Sequence, residues 1–417
     1  MNNSNNVYII GVGMNNFGKH LDETVKSMAQ GIVTETLEDA GVGKNEVEAG
    51  YFSNTFWGLF DGQHSIRGEI VFRSLGMDKI PVVNVENACA GASTAMYLGY
   101  MGIKAGMFDV SLAVASEKMY SLDKAKSLAS YSACMEVSNI EKQVQLLLDY
   151  GSQLDLEIPD GETPPGTGRS IFMDAYAAMA RWHMAKYGTT QRQLATVCAK
   201  NHYHASLNPK AQYRNVFTVD EVMNDKKITF PLTRAMCAPV GDGACAVVLV
   251  SEKYLNEHPE KRDRAILLRA CVLGQGSDRD YDGEDLGERI VKQAYEKAGL
   301  TPDDIDIAEL HDATAYGELH QYESMGFCEH GKGGEYAESG ATKLGGIRPV
   351  NTSGGLEGRG HPIGASGLAQ IYELVTQLRG EAGERQAKDV KIALAENGGG
   401  NIGIEEAAMC ISILEKN

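Results

Sequence analysis

The chain has 417 residues, 43% of them apolar and 23% charged, with a formal net charge of −17. That length exceeds what one hydrophobic core usually serves, so two domains or a duplicated domain are expected. The acidic balance argues against a nucleic-acid or anionic-membrane surface, both of which need clustered Lys and Arg.

Residues 1–6 carry no basic region and no apolar run, so no signal peptide is read there. No stretch nears the roughly 20 apolar residues of a membrane helix. The eight cysteines lack CxxC spacing, which fits reduced thiols better than disulfides or a zinc ribbon. A cytoplasmic protein is expected. Gly11-Val12-Gly13-Met14-Asn15-Asn16-Phe17-Gly18 follows a strand, but its third glycine is misplaced for GxGxxG. No acidic ribose contact follows at the right distance, which argues against a dinucleotide site.

Residues 25–40 read as an amphipathic helix ended by Gly41, followed by an acidic turn and a short apolar run. A strand at 82–85 leads into a helix rich in Gly, Ala and Ser, and another strand follows at 110–114. The segment from 120 to 230 has a different character, with a loop signature at 159–166 and a helix at 171–187. An insertion of that size suits a ligand-binding or interface subdomain. Within it, His202 and His204 are expected to shape the insertion rather than bind metal. Residues 241–250 read as a buried strand closing the first half.

The pattern then repeats. A helix at 290–298 ends at Gly299, an acidic turn spans 300–306, and a strand covers 307–310. Residues 349–351 lead into a second small-residue helix, and a strand follows at 391–395. Two similar βα halves predict a duplicated α/β fold of layered helices and sheets. The expected units are 1–119 with 231–265, an insertion at 120–230, and a second half at 266–417.

Two elements carry chemistry. Cys89, in Asn87-Ala88-Cys89-Ala90-Gly91, sits at the mouth of the first small-residue helix. His361, in Gly360-His361-Pro362-Ile363-Gly364-Ala365-Ser366-Gly367, sits at the mouth of the second. Glycine within a helix costs roughly 1 kcal/mol relative to alanine, so such helices make sense only where another backbone comes close. If the two helices meet, the thiol gains a base and a helix dipole that favours the thiolate. Taken alone, Cys89 reads as a core cysteine and His361 as a turn residue before proline.

Together with His311-Asp312-Ala313-Thr314 and the block from Pro231 to Gly243, these motifs resemble the thiolase superfamily over nearly the whole chain. They look nearest the sterol-carrier-protein-X-type branch, which has a histidine, here His311, where biosynthetic thiolases have asparagine. The resemblance implies duplicated βαβαβαββ halves in an α-β-α-β-α arrangement, an inserted loop domain that holds coenzyme A, and an obligate dimer. It implies coenzyme A as co-substrate, with no metal and no tightly bound cofactor. By this resemblance Cys89 is the nucleophile and His361 its base. The oxyanion is held by His311 and His361, or by backbone amides near Cys89 and Gly398. Glu396 replaces the second cysteine of biosynthetic thiolases, either as proton donor or as a structural partner for a backbone amide. A subset of the branch works with a small zinc-ribbon/OB-fold protein, benzoylsuccinyl-CoA thiolase among them. That inclines the reading toward an aromatic or unusual 3-oxoacyl-CoA. The alternatives are a C–C acyltransferase, an acetoacetyl-CoA thiolase of a multi-subunit complex, and a thiolase-like aldolase, against which Cys89 argues.

Overall fold

The computed structural model describes residues 6–417 apart from Pro165, Thr167 and Gly168. The reading of residues 1–5, and of Pro165 in the 159–166 loop, therefore falls outside the described residues. The strands are β1 (Val7–Met14), β2 (Ala49–Ser53), β3 (Val82–Val85), β4 (Val110–Glu117) and a small hairpin of β5 (Lys227–Thr229) and β6 (Leu232–Thr233). They continue with β7 (Gly243–Ser251), β8 (Ile266–Gln275), β9 (Ile307–Glu309), β10 (Ile392–Gly399) and β11 (Ala408–Lys416).

Nine of these strands form one sheet in the order β3-β2-β4-β7-β1-β8-β11-β10-β9. The order is two copies of one motif joined edge to edge. In the first copy β2 pairs parallel with β3 and β4, while β7 runs antiparallel between β4 and β1. In the second, β9 is parallel to β10, and β11 runs antiparallel between β10 and β8. The join is short: Tyr8 faces Leu267 and Ile9 faces Ile266. Residues 349–351, which lead toward the second small-residue helix, make one parallel bridge between Val350 and Ala308. Asn351 turns the chain there with a φ of 55°, and its side-chain oxygen accepts the Leu310 N–H at 2.8 Å.

Both faces of the sheet are covered, so the strands are apolar on both sides. Ile9, Val247, Leu249, Ala113, Ala393 and Leu414 face one central cluster shared with two buried helices, Gly91–Lys104 and Ser366–Arg379. Their alternating neighbours Ile10, Val248, Val250 and Leu112 face the outer helix Val25–Ala40. In the second half Ala270, Val272, Leu394 and Ile413 face the outer helix Leu286–Ala298. The two halves of the sheet both pack on the central helix pair, so outer helix, half-sheet, helix pair, half-sheet and outer helix make five layers, as the resemblance implies.

The repeated outer helices begin and end alike. Thr24 and Asp285 close capping boxes with Ser27 and Glu288, and Gly41 and Gly299 end them at φ 59° and 65°. The glycines of Gly11-Val12-Gly13 serve packing, not phosphate. A Cβ on Gly11 would lie 2.5 Å from Ala40 Cβ, and one on Gly13 would lie 2.2 Å from Thr36 Oγ1.

The segment after β4 carries the helices Ile171–Tyr187 and Gln191–Leu207. Leu194, Val197 and Cys198 pack into the same cluster as Ile290 and Ala294, so this part is welded to the second half's outer layer. His202 and His204 lie buried in that helix. His204 Nδ1 meets the Asn351 carbonyl at 3.0 Å and its Nε2 accepts the Leu344 N–H at 2.9 Å. His202 stacks edge-on against Phe217 with ring centroids 4.8 Å apart. No helix among the described residues is long and apolar enough to cross a membrane.

Candidate active site

Cys89 is presented by a strained turn. After β3 the Ala88 N–H donates to Glu86 Oε1 at 2.6 Å, and Ala88 takes a φ of 47°, rare for a residue with a Cβ. One 3-10 turn, Ala88–Ala90, then feeds the helix Gly91–Lys104. The end of β10 presses onto this turn. A Cβ on Gly399 would sit 2.3 Å from Ala90 N and 2.9 Å from Cys89 N, so only glycine fits. The Gly400 N–H, next in line, donates to the Cys89 sulfur.

His361 follows Gly360, whose φ of 108° again calls for glycine. Glu117, at the end of β4, ties this loop to the first half. Its carboxylate accepts the N–H groups of Thr55 at 2.7 Å, Phe56 at 3.1 Å and Gly364 at 3.2 Å. The two small-residue helices touch where Gly367 meets Ser93: a Cβ on Gly367 would lie 2.1 Å from Ser93 Oγ and 2.8 Å from Ser93 N. The remaining glycines of the cysteine helix serve other neighbours. Gly91 accommodates Ser53, and Gly99 accommodates Ser111 on β4. The small residues of this helix thus make room for both the partner helix and the sheet.

The hydrogen bonds assign different work to the two imidazoles. Ser366 Oγ donates to the Pro362 carbonyl at 3.1 Å, so it accepts from His361 Nδ1 at 2.7 Å. That leaves Nε2 of neutral His361 with a free lone pair, the form a general base needs. Asn397 bridges the halves: its oxygen accepts from Ser93 Oγ at 2.7 Å and its NH2 donates to His311 Nδ1 at 3.2 Å. His311 therefore carries its proton on Nε2 and is a donor. The two rings meet edge to face, with centroids 5.2 Å apart. The Cys89 sulfur and one nitrogen from each ring all lie within 4.8 Å of one another. With Nδ1 engaged and Nε2 protonated, His311 offers no free lone pair, so the trio does not fit a metal ion.

Burial sets the resting protonation. It pushes the Cys89 thiol up to about 12, although the N–H groups of Gly400 and Cys89 itself pull the other way. The expected helix-dipole activation is thus overridden by desolvation. Burial also drives His311 down to about 3, and it lowers His361, with His311 and Arg359 adding to the effect. The resting pair is thiol and neutral imidazole, and the proton must move as the sulfur attacks.

Glu396 is fully buried on β10. Its Oε2 accepts the His311 N–H at 2.8 Å, while Oε1 has no partner among the described residues. Burial first, with the nearby Glu406 charge adding to it, lifts its carboxyl to about 8. Gly398 lines the cavity, but the amide on the sulfur is that of Gly400, two residues on.

These groups open into a cavity of about 770 Å³ lined by Cys89, His311, His361 and an aromatic wall of Tyr131, Phe172 and Tyr176. The sequence reading did not find that wall or Glu406, which also lines the cavity. Tyr131 and Phe172 meet edge to face at 6.4 Å. The one signal for Glu406 was a charged pair, Glu405-Glu406, set among apolar residues beside a glycine run.

Residues 7–253 match the thiolase N-terminal domain family and residues 285–414 match the thiolase C-terminal domain-like family. The chain belongs to the thiolase family, acyltransferases that take coenzyme A as co-substrate and hold no tightly bound cofactor. Among its relatives, an acetyl-CoA acetyltransferase of Methanothermobacter thermautotrophicus is 36% identical over 403 residues, covering 95% of this chain and 97% of the relative. Bovine sterol carrier protein 2 is 34% identical, covering 94% of this chain and 70% of the relative. The benzoylsuccinyl-CoA thiolase subunit BbsB of Thauera aromatica is 31% identical, covering 94% of each chain. Sterol carrier protein 2 and BbsB are consistent with the branch the motifs indicated. The fold also superposes on the Ltp2-ChsH2(DUF35) aldolase with a TM-score of 0.74 at 22% identity, over 99% of this chain and 98% of that one. For the Acat5 thiolase of Ascaris suum in complex with coenzyme A, the TM-score is 0.67 at 16% identity, over 99% and 100%.

Proposed function

We propose that this chain cleaves a 3-oxoacyl-CoA through an acyl-cysteine on Cys89. The observation that carries the reading is the convergence of the Cys89 sulfur with a basic and a donating imidazole within 4.8 Å, on the wall of one large cavity. His361 takes the thiol proton as the sulfur attacks the 3-oxo carbon. The alkoxide that forms is held by His311 Nε2–H and by backbone N–H groups of the Cys89–Gly400 region. Collapse breaks the C2–C3 bond, and the carbanion is protonated by Glu396 or a nearby group. The thiol of free coenzyme A then takes the acyl group from Cys89.

The segment from 120 to 230 holds coenzyme A in this reading, since Arg169, Tyr213 and Asn215 from it line the cavity. The aromatic wall beside Cys89 favours a bulky or aromatic acyl group, as in the substrate named for BbsB. A homodimer core with a small zinc-ribbon/OB-fold partner is part of the proposal. It is supported by BbsB being a subunit and by the paired Ltp2-ChsH2(DUF35) assembly.

Intact-protein mass spectrometry after mixing with aliphatic and aromatic acyl-CoAs tests the reading. One acyl adduct that disappears in Cys89→Ala is expected. Near-normal thiolysis by Cys89→Ala would sink the proposal. An adduct transferred to a carbon acceptor but not to coenzyme A would favour a C–C acyltransferase.

A further inference from the structure

We propose that Glu406 is the catalytic residue that hands the proton to C2, acting as one carboxyl of a pair with Glu396. This rests on the acyl-cysteine reading above and deepens it. Glu396 cannot reach the substrate itself: Oε2 is held by the His311 N–H, and its side chain does not line the cavity. Its partnerless Oε1 faces the same small space as Glu406. A Cβ on Gly398 would lie 3.1 Å from Glu406 Cγ and 3.5 Å from Glu396 Oε1, so the glycine at 398 makes room for both carboxyls.

Glu406 is aimed at this space by its neighbour. Glu405 is clamped on the other side by Arg279 at 2.7 Å and Arg289 at 2.8 Å. With Glu405 held there, Glu406 lines the cavity. There it shares the wall with Cys89 and Tyr176, and Tyr176 feels the charges of Glu406, Cys89 and Glu396 together. Glu406 also borders a second, small cavity with His320, which Asp285 holds at 2.9 Å. Charge on one carboxyl disfavours charge on the other, so each holds its proton more readily than it would alone. Burial raises both, in keeping with that geometry.

In the cycle, the C2–C3 bond breaks with its electron pair staying on C2 as an enolate. C2 takes the proton of Glu406, leaving a carboxylate beside protonated Glu396. The thiol of incoming coenzyme A returns a proton to Glu406. Its thiolate attacks the acyl-cysteine, and the expelled Cys89 thiolate regains its proton from His361. Protons and electrons balance without any further reactant.

A carbon acid needs this help far more than a thiol with an ordinary pKa of about 8.5. The test therefore compares carbon and sulfur chemistry in Glu406→Gln. Deuterium uptake at C2 of acetyl-CoA in heavy water is expected to fall roughly 100-fold, in the range general acid–base groups supply. Acyl-adduct formation on Cys89 from the same acetyl-CoA is expected to fall less than about tenfold. Glu406→Asp should restore part of the exchange. Exchange within threefold of the parent rate overturns the proposal, and so does an equal loss of exchange and acylation. Failure of the underlying reading has a different signature: the unaltered enzyme itself forms no adduct.

Discussion

Ser366→Ala tests the division of labour between the two histidines most directly. In the parent, Ser366 Oγ donates to the Pro362 carbonyl and accepts from His361 Nδ1 at 2.7 Å, in a pocket where both residues are buried. Alanine removes the acceptor and strands Nδ1–H. The bond matters most when His361 becomes imidazolium, because a hydrogen bond from a charged donor is worth roughly 1.5–3 kcal/mol against about 1 for a neutral one. Alanine also removes the neutral-state bond, so only the difference of roughly 0.5–2 kcal/mol counts, and at 1.36 kcal/mol per tenfold acylation of Cys89 slows by roughly 2- to 30-fold. Rapid-quench mass spectrometry of the acyl adduct measures this, with a melting curve to check that the fold persists. The limb of the rate profile that reports His361 should shift to lower pH, since the imidazolium loses its stabilising acceptor. Acylation within twofold of the parent, with an unchanged profile, would refute the tautomer argument.

Two further outcomes follow from the same geometry. Gly367→Val forces a side chain where Ser93 Oγ lies 2.1 Å and Asn397 Oδ1 2.3 Å from the ideal Cβ. Such overpacking costs typically 1–3 kcal/mol, and here it pushes the Asn397 amide off His311, so a lower Tm and a loss of thiolysis should come together. Glu396 has its carboxyl raised from 4.5 to about 8 by burial, so its stabilising contribution is complete below pH 4.5 and is lost as pH rises toward 8. Glu396→Gln keeps the shape without the charge. Its Tm should decline less than the parent's between pH 5 and 8, as followed by calorimetry.

The duplicated architecture was legible because its signals are local. Each copy of the outer helix carries its own cap and its own glycine stop, and each strand carries its own apolar run. Cys89 and His361 were legible because glycine and alanine in a helix are costly unless another chain must come close. Glu406 was not, since nothing in its surroundings along the chain says which way it points. That direction comes from Arg279 and Arg289, which lie more than 100 residues away and draw Glu405 to the other side. The aromatic wall stayed hidden for the same reason: Tyr131 and Tyr176 come from a segment whose packing against the second half no periodicity reveals.

Read by itself, the chain determined which residues could do chemistry and which backbone positions had to be glycine, because those choices depend on side-chain type and local φ. Tertiary structure alone decided their protonation. Desolvation raises the half-buried Cys89 thiol against the pull of the helix end, and Asn397 and Ser366 leave one imidazole as donor and the other as base. Charge stability depends on the total surroundings of a buried group, and those are assembled from residues hundreds of positions apart.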